Sequence, residues 1–336
     1  MPPVWAPHQA TWFSWPHNVE TWPGGRLARA ERALAEAVAK LSRHEHVYLN
    51  VLNERHAEHV RRLLPAGTNL AAVSLEPIPT DDAWCRDHGA IFVFDGDGRL
   101  TALDFRFNAW GDKYPPYDRD DAVPPQMAAR LGVPVVSVDY VLEGGSIDVN
   151  GAGTLLTTTQ CLLNPNRNPE RSQGEIEAML HEYLGAERVL WLGDGIVGDD
   201  TDGHVDDITR FVAEDTVVTA VEPDPADPNH RPLAENRERL DGFRLADGRA
   251  LNVVELPMPE PVRSGAERLP ASYANFYIAN GLVLVPVFGC DRDADALGVL
   301  RGCFPGRDVV GIDCRDVVFG LGTLHCLSQQ VPASGS

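Results

Sequence analysis

The chain has 336 residues, of which 43% are hydrophobic, and this is enough to bury a sizeable globular core. Its formal net charge of −20 argues against nucleic-acid binding, because phosphate recognition needs a positive surface, and it suits a cationic substrate or a well-hydrated surface. The sequence shows no export signal and no apolar run of bilayer-spanning length. It therefore predicts a cytoplasmic protein with six reduced cysteines and without nucleic-acid or membrane partners.

Helical and strand-like segments alternate along the chain. Apolar spacing predicts a helix from Leu27 to Leu41 and another around Ala57 to Leu64. Ser172 and Glu175 form a capping box for a third helix, which Gly185 ends, and further helices begin near Leu233 and Asp293. Strand-like runs cover residues 47–52, 90–94, 154–158, 210–212, 217–221, 282–287 and 309–312. The pattern predicts one mixed α/β domain over residues 1–336, with no internal boundary.

A weak internal rhythm accompanies these elements. A polar residue beside glycine or an aromatic residue recurs at intervals of 51 to 69 residues, at Asp87, Glu143, Asp206, Asn275 and Cys326. Such a period indicates five similar units, each donating one side chain to a common site.

Cys326 follows two loop glycines, Gly320 and Gly322, near the C-terminal end of the chain. This placement predicts a partly exposed thiol near backbone N–H groups, where the pKa of a cysteine is lowered and the thiolate is nucleophilic. The alternative interpretation is a small buried hydrophobic residue.

The densest acidic segment runs from Asp199 to Asp207 and contains His204. His204 and Asp206 are two residues apart, so on a strand both side chains would address one ligand. A solvated turn is the simpler interpretation. A calcium loop is excluded, because with Gly203 at its sixth position Gly198 and Thr209 would have to be ligands. A metal hydrolase built on this segment stays open as an alternative.

Two further acids lie beside glycines at predicted strand ends. Glu143 precedes Gly144 and Gly145, and Asp87 precedes the strand-like run at 90–94. With Cys326 and His204 they supply a thiol, an imidazole and carboxylates, but no convincing metal cage. Carboxylates raise the pKa of a thiol and suit a cationic electrophile, such as a planar guanidinium held by paired hydrogen bonds. The residues therefore predict guanidinium chemistry without metal or cofactor, and leave a catalytically silent acidic binding module as an alternative.

Several segments together carry a resemblance that covers residues 1 to about 332. They are Pro7–Trp12 with Trp15–Asn18 and Thr21–Gly24, Trp84–Asp87, Phe105–Gly111, Glu143–Ser146, Cys161–Pro169, Asp200–Asp206, Ser272–Tyr273 with Asn275–Asn280, and His325–Cys326 with Gln329–Gln330. In these segments the chain resembles the agmatine deiminases, which belong with the bacterial peptidylarginine deiminases to the guanidino-modifying enzymes. The resemblance implies a five-bladed, pseudo-symmetric α/β propeller in a single domain.

The resemblance also implies roles for individual residues. Cys326 is expected to be the nucleophile and His204 the general acid and base. Asp87 and Asp206 are expected to clamp the guanidinium, and Glu143 to contact it and orient His204. Trp84 and Trp110 either line the substrate pocket or pack in the core.

The implied reaction is the hydrolysis of agmatine to N-carbamoylputrescine and ammonia through a covalent thiouronium on Cys326, a step in putrescine and polyamine metabolism. Leu321, Thr323, His88 and Ala90 depart from the family pattern, and we expect them to reshape the wall that receives the tail of the substrate. Peptidyl-arginine and free arginine therefore stay open as substrates. A homo-oligomer is compatible with the sequence, and its test is a solution measurement.

Overall fold

The structure, a computed structural model, describes residues 1–333. Five small sheets share one topology in the described part of the chain: two antiparallel strands, then a helix, then a strand parallel to the second one. Four of these sheets are continuous in sequence. Their strands are Ile91–Phe94, Leu100–Arg106 and Val135–Val141; Asp148–Val149, Thr154–Thr158 and Arg188–Leu192; Thr209–Ala213, Thr216–Val221 and Asn252–Pro257; and Tyr277–Ala279, Leu282–Val287 and Asp308–Asp313.

The remaining sheet joins the two ends of the chain. Its first strand, Ser328–Pro332, pairs antiparallel with His8–Ser14, which is parallel to His46–Asn50. A fourth strand, Val73–Glu76, extends this sheet parallel to His46–Asn50, and the helix Glu54–Leu63 lies in the connection between these two strands. The first and last parts of the chain thus complete one unit together.

In the described chain, the crossover of each unit contains one helix of nine residues or more. These helices are Leu27–Leu41, Val123–Leu131, Gln173–Leu184, His230–Gly242 and Arg292–Cys303. The predicted capping box is confirmed, because the Ser172 side chain accepts a hydrogen bond from the Glu175 N–H and the Glu175 carboxylate accepts one from the Ser172 N–H. Gly185 ends that helix in the left-handed conformation, with φ of 72°.

The predicted strands are confirmed to within two residues at either end, but the sequence missed several others, among them His8–Ser14, Leu100–Arg106 and Val135–Val141. In His8–Ser14 nearly every residue is buried. A strand that is covered on both faces lacks the alternation of polar and apolar residues that a sequence pattern can detect.

A short helical turn precedes the first strand of every unit. The five turns are Cys85–His88, Gly144–Ser146, Val205–Asp207, Tyr273–Asn275 and Leu324–Leu327. Asp87, Asp206, Asn275 and Cys326 lie in these turns, and Glu143 directly precedes one. The five turns recur at the positions of the predicted rhythm, and its repeating feature is the turn before each hairpin.

Two buried arginines tie neighbouring units together. Arg86 donates to Gln330 Oε1 at 2.7 Å, and so links its turn to the C-terminal strand. Arg210 pairs with Asp148 of the preceding unit and donates to the carbonyls of Ala274 and Phe276 in the following one. Among residues 1–333 no helix combines the length and hydropathy needed to cross a bilayer.

Candidate active site

Cys326 lies in the helical turn Leu324–Leu327 and is only 4% exposed. Its Sγ accepts a hydrogen bond from Asn275 Nδ2 at 3.0 Å and lies 3.6 Å from Asp206 Oδ2. Burial raises the pKa of the thiol well above its usual value, and the charges of Asp206, Asp207 and Asp87 raise it further. The expectation of a partly exposed thiol with a lowered pKa is therefore wrong for the free protein, because the thiol is buried among acids.

His204 and Asp206 both lie at the centre of the site, but in the described structure neither residue is part of a strand, contrary to the prediction from the sequence. His204 precedes the helical turn Val205–Asp207, and the strand begins only at Thr209. Both ring nitrogens of His204 are buried without a hydrogen-bond partner in the described structure. Burial, aided by the charge of Arg167, lowers the pKa of His204 well below its usual value, so the free imidazole is neutral.

Asp206 accepts a hydrogen bond from His325 Nδ1 at 2.6 Å through Oδ2, while its buried Oδ1 has no partner in the described structure. Burial raises the pKa of Asp206 to about 7, against the opposing charges of Arg210 and Arg86. One oxygen of this carboxylate is thus held by His325, and the other is available to accept a hydrogen bond from a ligand.

Asp87 is held from two sides. Its Oδ2 accepts from Trp110 Nε1 at 3.0 Å and its Oδ1 from the Gly145 N–H at 2.9 Å. The same Oδ1 lies 3.8 Å from His204 Nδ1. Burial raises the pKa of Asp87 to about 8, with further contributions from the charges of Asp206 and Glu143.

Glu143 is fully buried and forms an ion pair with Arg167, whose Nε lies 2.5 Å from Glu143 Oε1. Arg167 also donates to Asp202 Oδ2 and to the Thr201 carbonyl, and so ties Glu143 to the segment before His204. Glu143 Oε2 has no partner in the described structure, and a hydrogen bond to His204 is absent there. The expected orienting contact between these two residues stays a prediction.

A cavity of about 410 Å³ leads to Cys326 and Asp87. Six acids line it, namely Glu20, Asp81, Asp82, Asp87, Asp120 and Asp200, and none of its described lining residues is Lys, Arg or His. Trp84 and Trp110 also line it, so both aromatic candidates belong to the cavity as well as to the core. His204, Glu143 and Asp206 are buried and are not among the residues that line it.

Of the four departures from the family pattern, only Leu321 lines the cavity, in a left-handed conformation with φ of 72°. Thr323 is 1% exposed and its hydroxyl donates to Asn275 Oδ1 at 2.8 Å. His88 is buried between Ser14 Oγ and Asp120, and Ala90 packs in the core. The expectation that all four shape the substrate wall is therefore wrong for Thr323, His88 and Ala90, whose side chains contact protein groups instead.

The carboxylates of the acidic segment 199–207 do not point towards one common ligand position. Asp199 accepts the backbone N–H groups of Thr201, Gly203 and His204, and Asp202 pairs with Lys113 and Arg167. Among residues 1–333, two sets of three side chains could offer metal ligands within 4.8 Å of one another: Glu143, Cys161 and His204, and Asp206, Asp207 and Cys326. Both sets consist largely of the proposed catalytic residues described above. In the first set, the guanidinium of Arg167 already provides a positive charge beside Glu143.

Three contacts in the site escaped prediction. Asn275 was recognised only as a member of the rhythm, while His325 and Arg167 received no role, although all three contact a predicted site residue. Their partners are 24 to 119 residues away in the sequence. Asn275 occurs in the rhythm, and all three residues lie in segments that carry the family resemblance, but neither signal specified their contacts.

A buried thiol, a neutral imidazole and carboxylates at the end of an acid-lined cavity are typical of an enzyme that acts on a cationic group. Comparison with known proteins agrees. The model of the Porphyromonas-type peptidyl-arginine deiminase family matches residues 1–332. The agmatine deiminase of Ectopseudomonas mendocina is 39% identical, over 99% of this chain and 95% of its own length.

Solved structures show the same relationship. A structure of the agmatine deiminase of Enterococcus faecalis is 33% identical with a TM-score of 0.93, and covers 100% of this chain and 96% of its own. A substrate-bound structure of the C. jejuni agmatine deiminase is 32% identical with a TM-score of 0.89, and covers 99% of this chain and 96% of its own. The chain therefore belongs to the Porphyromonas-type peptidyl-arginine deiminase family, a family of hydrolases that act on C–N bonds of amidines.

Proposed function

We propose that this protein hydrolyses agmatine to N-carbamoylputrescine and ammonia in a single domain built as a five-bladed α/β propeller. The observation that carries the proposal is the cavity that ends at Cys326 and is lined by six acids. Agmatine carries a guanidinium and an ammonium group, and both suit an acidic cavity. Free arginine carries an additional carboxylate, which would meet only like charges among the described lining residues.

Guanidinium binding assigns a function to the buried acids. Asp87 and the unpartnered oxygen of Asp206 accept N–H groups of the planar cation. Glu143, through its free Oε2, contacts the cation and orients His204. The positive charge of the substrate offsets the carboxylates that raise the pKa of Cys326, so the thiolate forms once the substrate is bound.

In the first half of the reaction, the sulfur of Cys326 attacks the guanidinium carbon. The neutral His204 takes up the proton that the thiol loses, a C–S bond forms, His204 delivers this proton to the departing nitrogen, and the C–N bond breaks to release ammonia. The proton lost by the thiol balances the one that leaves with ammonia. A cationic thiouronium remains on Cys326, and the surrounding carboxylates stabilise it.

In the second half, water adds to the same carbon. His204 accepts one proton from this water, and as the C–S bond breaks the proton on the added oxygen passes to the departing sulfur, which returns the thiol and releases the ureido product. The proton left on His204 is then lost to solvent, where it converts the released ammonia to ammonium, and the imidazole is neutral again. A neutral histidine is suited to this step, since burial keeps the pKa of His204 low.

The test offers the purified protein agmatine, a peptidyl-arginine, free arginine and butylguanidine, and measures ureido product and ammonia. We expect turnover of agmatine and none by the Cys326→Ala variant. Turnover only of peptidyl-arginine or arginine would reassign the substrate, and full activity of Cys326→Ala would reject the nucleophile.

The rival metal hydrolase is tested in the same assay. Activity that survives a chelator but disappears on thiol alkylation supports the thiol mechanism. Loss of activity on chelation, with recovery on return of a divalent metal, would favour the metal alternative and reject the proposed one.

A further inference from the structure

The side chain of Asn275 contacts five groups, and the nucleophile is one of them. Its Oδ1 lies 2.8 Å from Thr323 Oγ1, 3.1 Å from the His325 N–H and 3.3 Å from the Cys326 N–H. Its Nδ2 lies 3.0 Å from both Asp207 Oδ1 and Cys326 Sγ. All of these contacts are buried.

The chemistry of these partners fixes which way the amide points. The N–H groups of His325 and Cys326 can only donate, so an oxygen must face them. A flipped amide would turn its NH₂ group towards two backbone donors and its oxygen towards the Asp207 side chain, leaving several buried groups unpaired. The amide nitrogen therefore faces the sulfur because of hydrogen bonds made by the same turn that carries Cys326.

We infer that Asn275 is a catalytic residue whose amide nitrogen donates a hydrogen bond to the attacking sulfur, and that Thr323 is a positioning residue that orients this amide. The inference rests on the proposed role of Cys326 as nucleophile. Sulfur in its anionic form accepts a hydrogen bond more strongly than a neutral thiol does. The contact thus favours the thiolate in a place where Asp206, Asp207 and Asp87 all disfavour it.

The contacts also predict effects of different size for substitutions at Asn275 and Thr323. Asn275 contacts the sulfur itself, so its removal changes the thiolate directly. Thr323 provides one of three hydrogen bonds to Oδ1, and the two backbone N–H groups remain when its hydroxyl is lost. We therefore expect a large effect from Asn275→Ala and a smaller effect of the same kind from Thr323→Val.

The primary experiment measures the rate at which iodoacetamide alkylates Cys326 as a function of pH, with the labelled peptide identified by mass spectrometry. We expect Asn275→Ala to lower the rate at pH 7 by about tenfold and to move the profile towards higher pH. Thr323→Val should lower it by about threefold. Cys326→Ala gives the background from the other cysteines.

Turnover supplies the second readout. For Asn275→Ala we expect kcat to fall by about a hundredfold, comparable to the loss of an oxyanion-hole donor, with KM nearly unchanged. A residue that only supports the fold would instead lower the thermal midpoint or raise KM. Should Asn275→Ala fail to fold, the milder Thr323→Val variant still tests the inference through the pH profile.

An unchanged alkylation profile in a folded Asn275→Ala protein would overturn the inference, as would an unchanged profile in Thr323→Val if only that variant folds. Alkylation needs no turnover, so its outcome is separate from that of the proposed function. A wild-type protein that fails to hydrolyse any guanidine would reject the proposed function, while the contact between Asn275 and the thiol would still be tested.

Discussion

Gly145 lies where three proposed catalytic groups leave no room for a side chain. A Cβ at this position would be 2.6 Å from His204 Nδ1, 2.8 Å from Asp87 Oδ1 and 3.2 Å from Asp206 Oδ2. The glycine thus allows an imidazole and two carboxylates to approach one backbone position, and its own N–H donates to Asp87. The absence of a side chain at Gly145 is part of the geometry of the site.

Replacing Gly145 with alanine should displace at least one of these groups. A misplacement of about 1 Å can cost about a hundredfold in rate, so we expect kcat/KM to fall by about a hundredfold or more. Gly174→Ala is the matched control, because nothing lies within 4 Å of a Cβ there. Steady-state kinetics with thermal melting of both variants checks the prediction, and a Gly145→Ala protein with wild-type kinetics would contradict it.

The raised pKa values of two carboxylates make ligand binding depend on pH. Burial raises the pKa of Asp87 to about 8 and that of Asp206 to about 7 in the folded protein, above the usual value of 3.8. The folded protein therefore binds more protons than the unfolded chain between about pH 4 and pH 8, and these groups lower the free energy of unfolding as pH rises through that window. A bound guanidinium offsets this loss, because it stabilises the ionised carboxylates.

We accordingly expect agmatine to bind the inactive Cys326→Ala protein at least about tenfold more tightly at pH 9 than at pH 6. Isothermal titration calorimetry measures this difference, together with the protons released on binding. In the Asp87→Asn, Cys326→Ala double variant the affinity should be lower and its pH dependence flatter. Equal affinity at both pH values would show that these carboxylates are already ionised in the free protein.

At the scale of elements, the loop from Ala109 to Asp112 is a strained part of the cavity wall. All four of its residues have positive φ, namely 48° at Ala109, 58° at Trp110, 93° at Gly111 and 60° at Asp112. Non-glycine residues adopt this conformation at a cost of about 1–2 kcal/mol each, so contacts outside the loop must maintain it. Asn108 accepts the Gly111 N–H, and the loop packs against Asn166. The result is the contact between Trp110 and Asp87.

Gly111→Ala tests whether the loop shapes the substrate site. An added Cβ would lie 2.4 Å from Asn166 Nδ2, so the loop must shift and carry Trp110 away from Asp87. We expect KM to rise by about tenfold, since the cavity wall moves and Asp87 loses its hydrogen bond from Trp110. Gly132→Ala is matched in backbone conformation, with φ of 68° and nothing within 4 Å, and should cost about 1 kcal/mol of stability without changing KM. Equal KM values for both variants would refute the role of the loop.

At the scale of the whole molecule, the sequence revealed the repeating unit and the chemical groups, but not the contacts that join them. Asp87, Glu143, His204, Asp206 and Cys326 were predicted as site residues from their residue types, glycine neighbours and family resemblance, and the structure brings them close together. The pairing of Glu143 with Arg167 and the orientation of Asn275 depend on how distant turns pack, which no local pattern specifies.

The same limit explains two of the wrong expectations about the site. The state of the Cys326 thiol depends on burial and on acids donated by other units, so loop glycines nearby were a poor guide to its pKa. Thr323 was expected to face the substrate, whereas its hydroxyl donates a hydrogen bond to Asn275 of the neighbouring unit. In each case the deciding partner is far away in sequence.

The net charge of −20 and the acid-lined cavity act together on a cationic substrate. Such a field raises the local concentration of cations and is screened by salt, since the Debye length falls from about 30 Å at 0.01 M to about 3 Å at 1 M. We expect kcat/KM for agmatine to fall by about tenfold between 0.02 and 0.5 M NaCl, while kcat changes little. Butylguanidine, which carries one charge instead of two, should show a shallower slope. Equal slopes for the two substrates would mean that the acids of the cavity do not attract the ammonium end of agmatine.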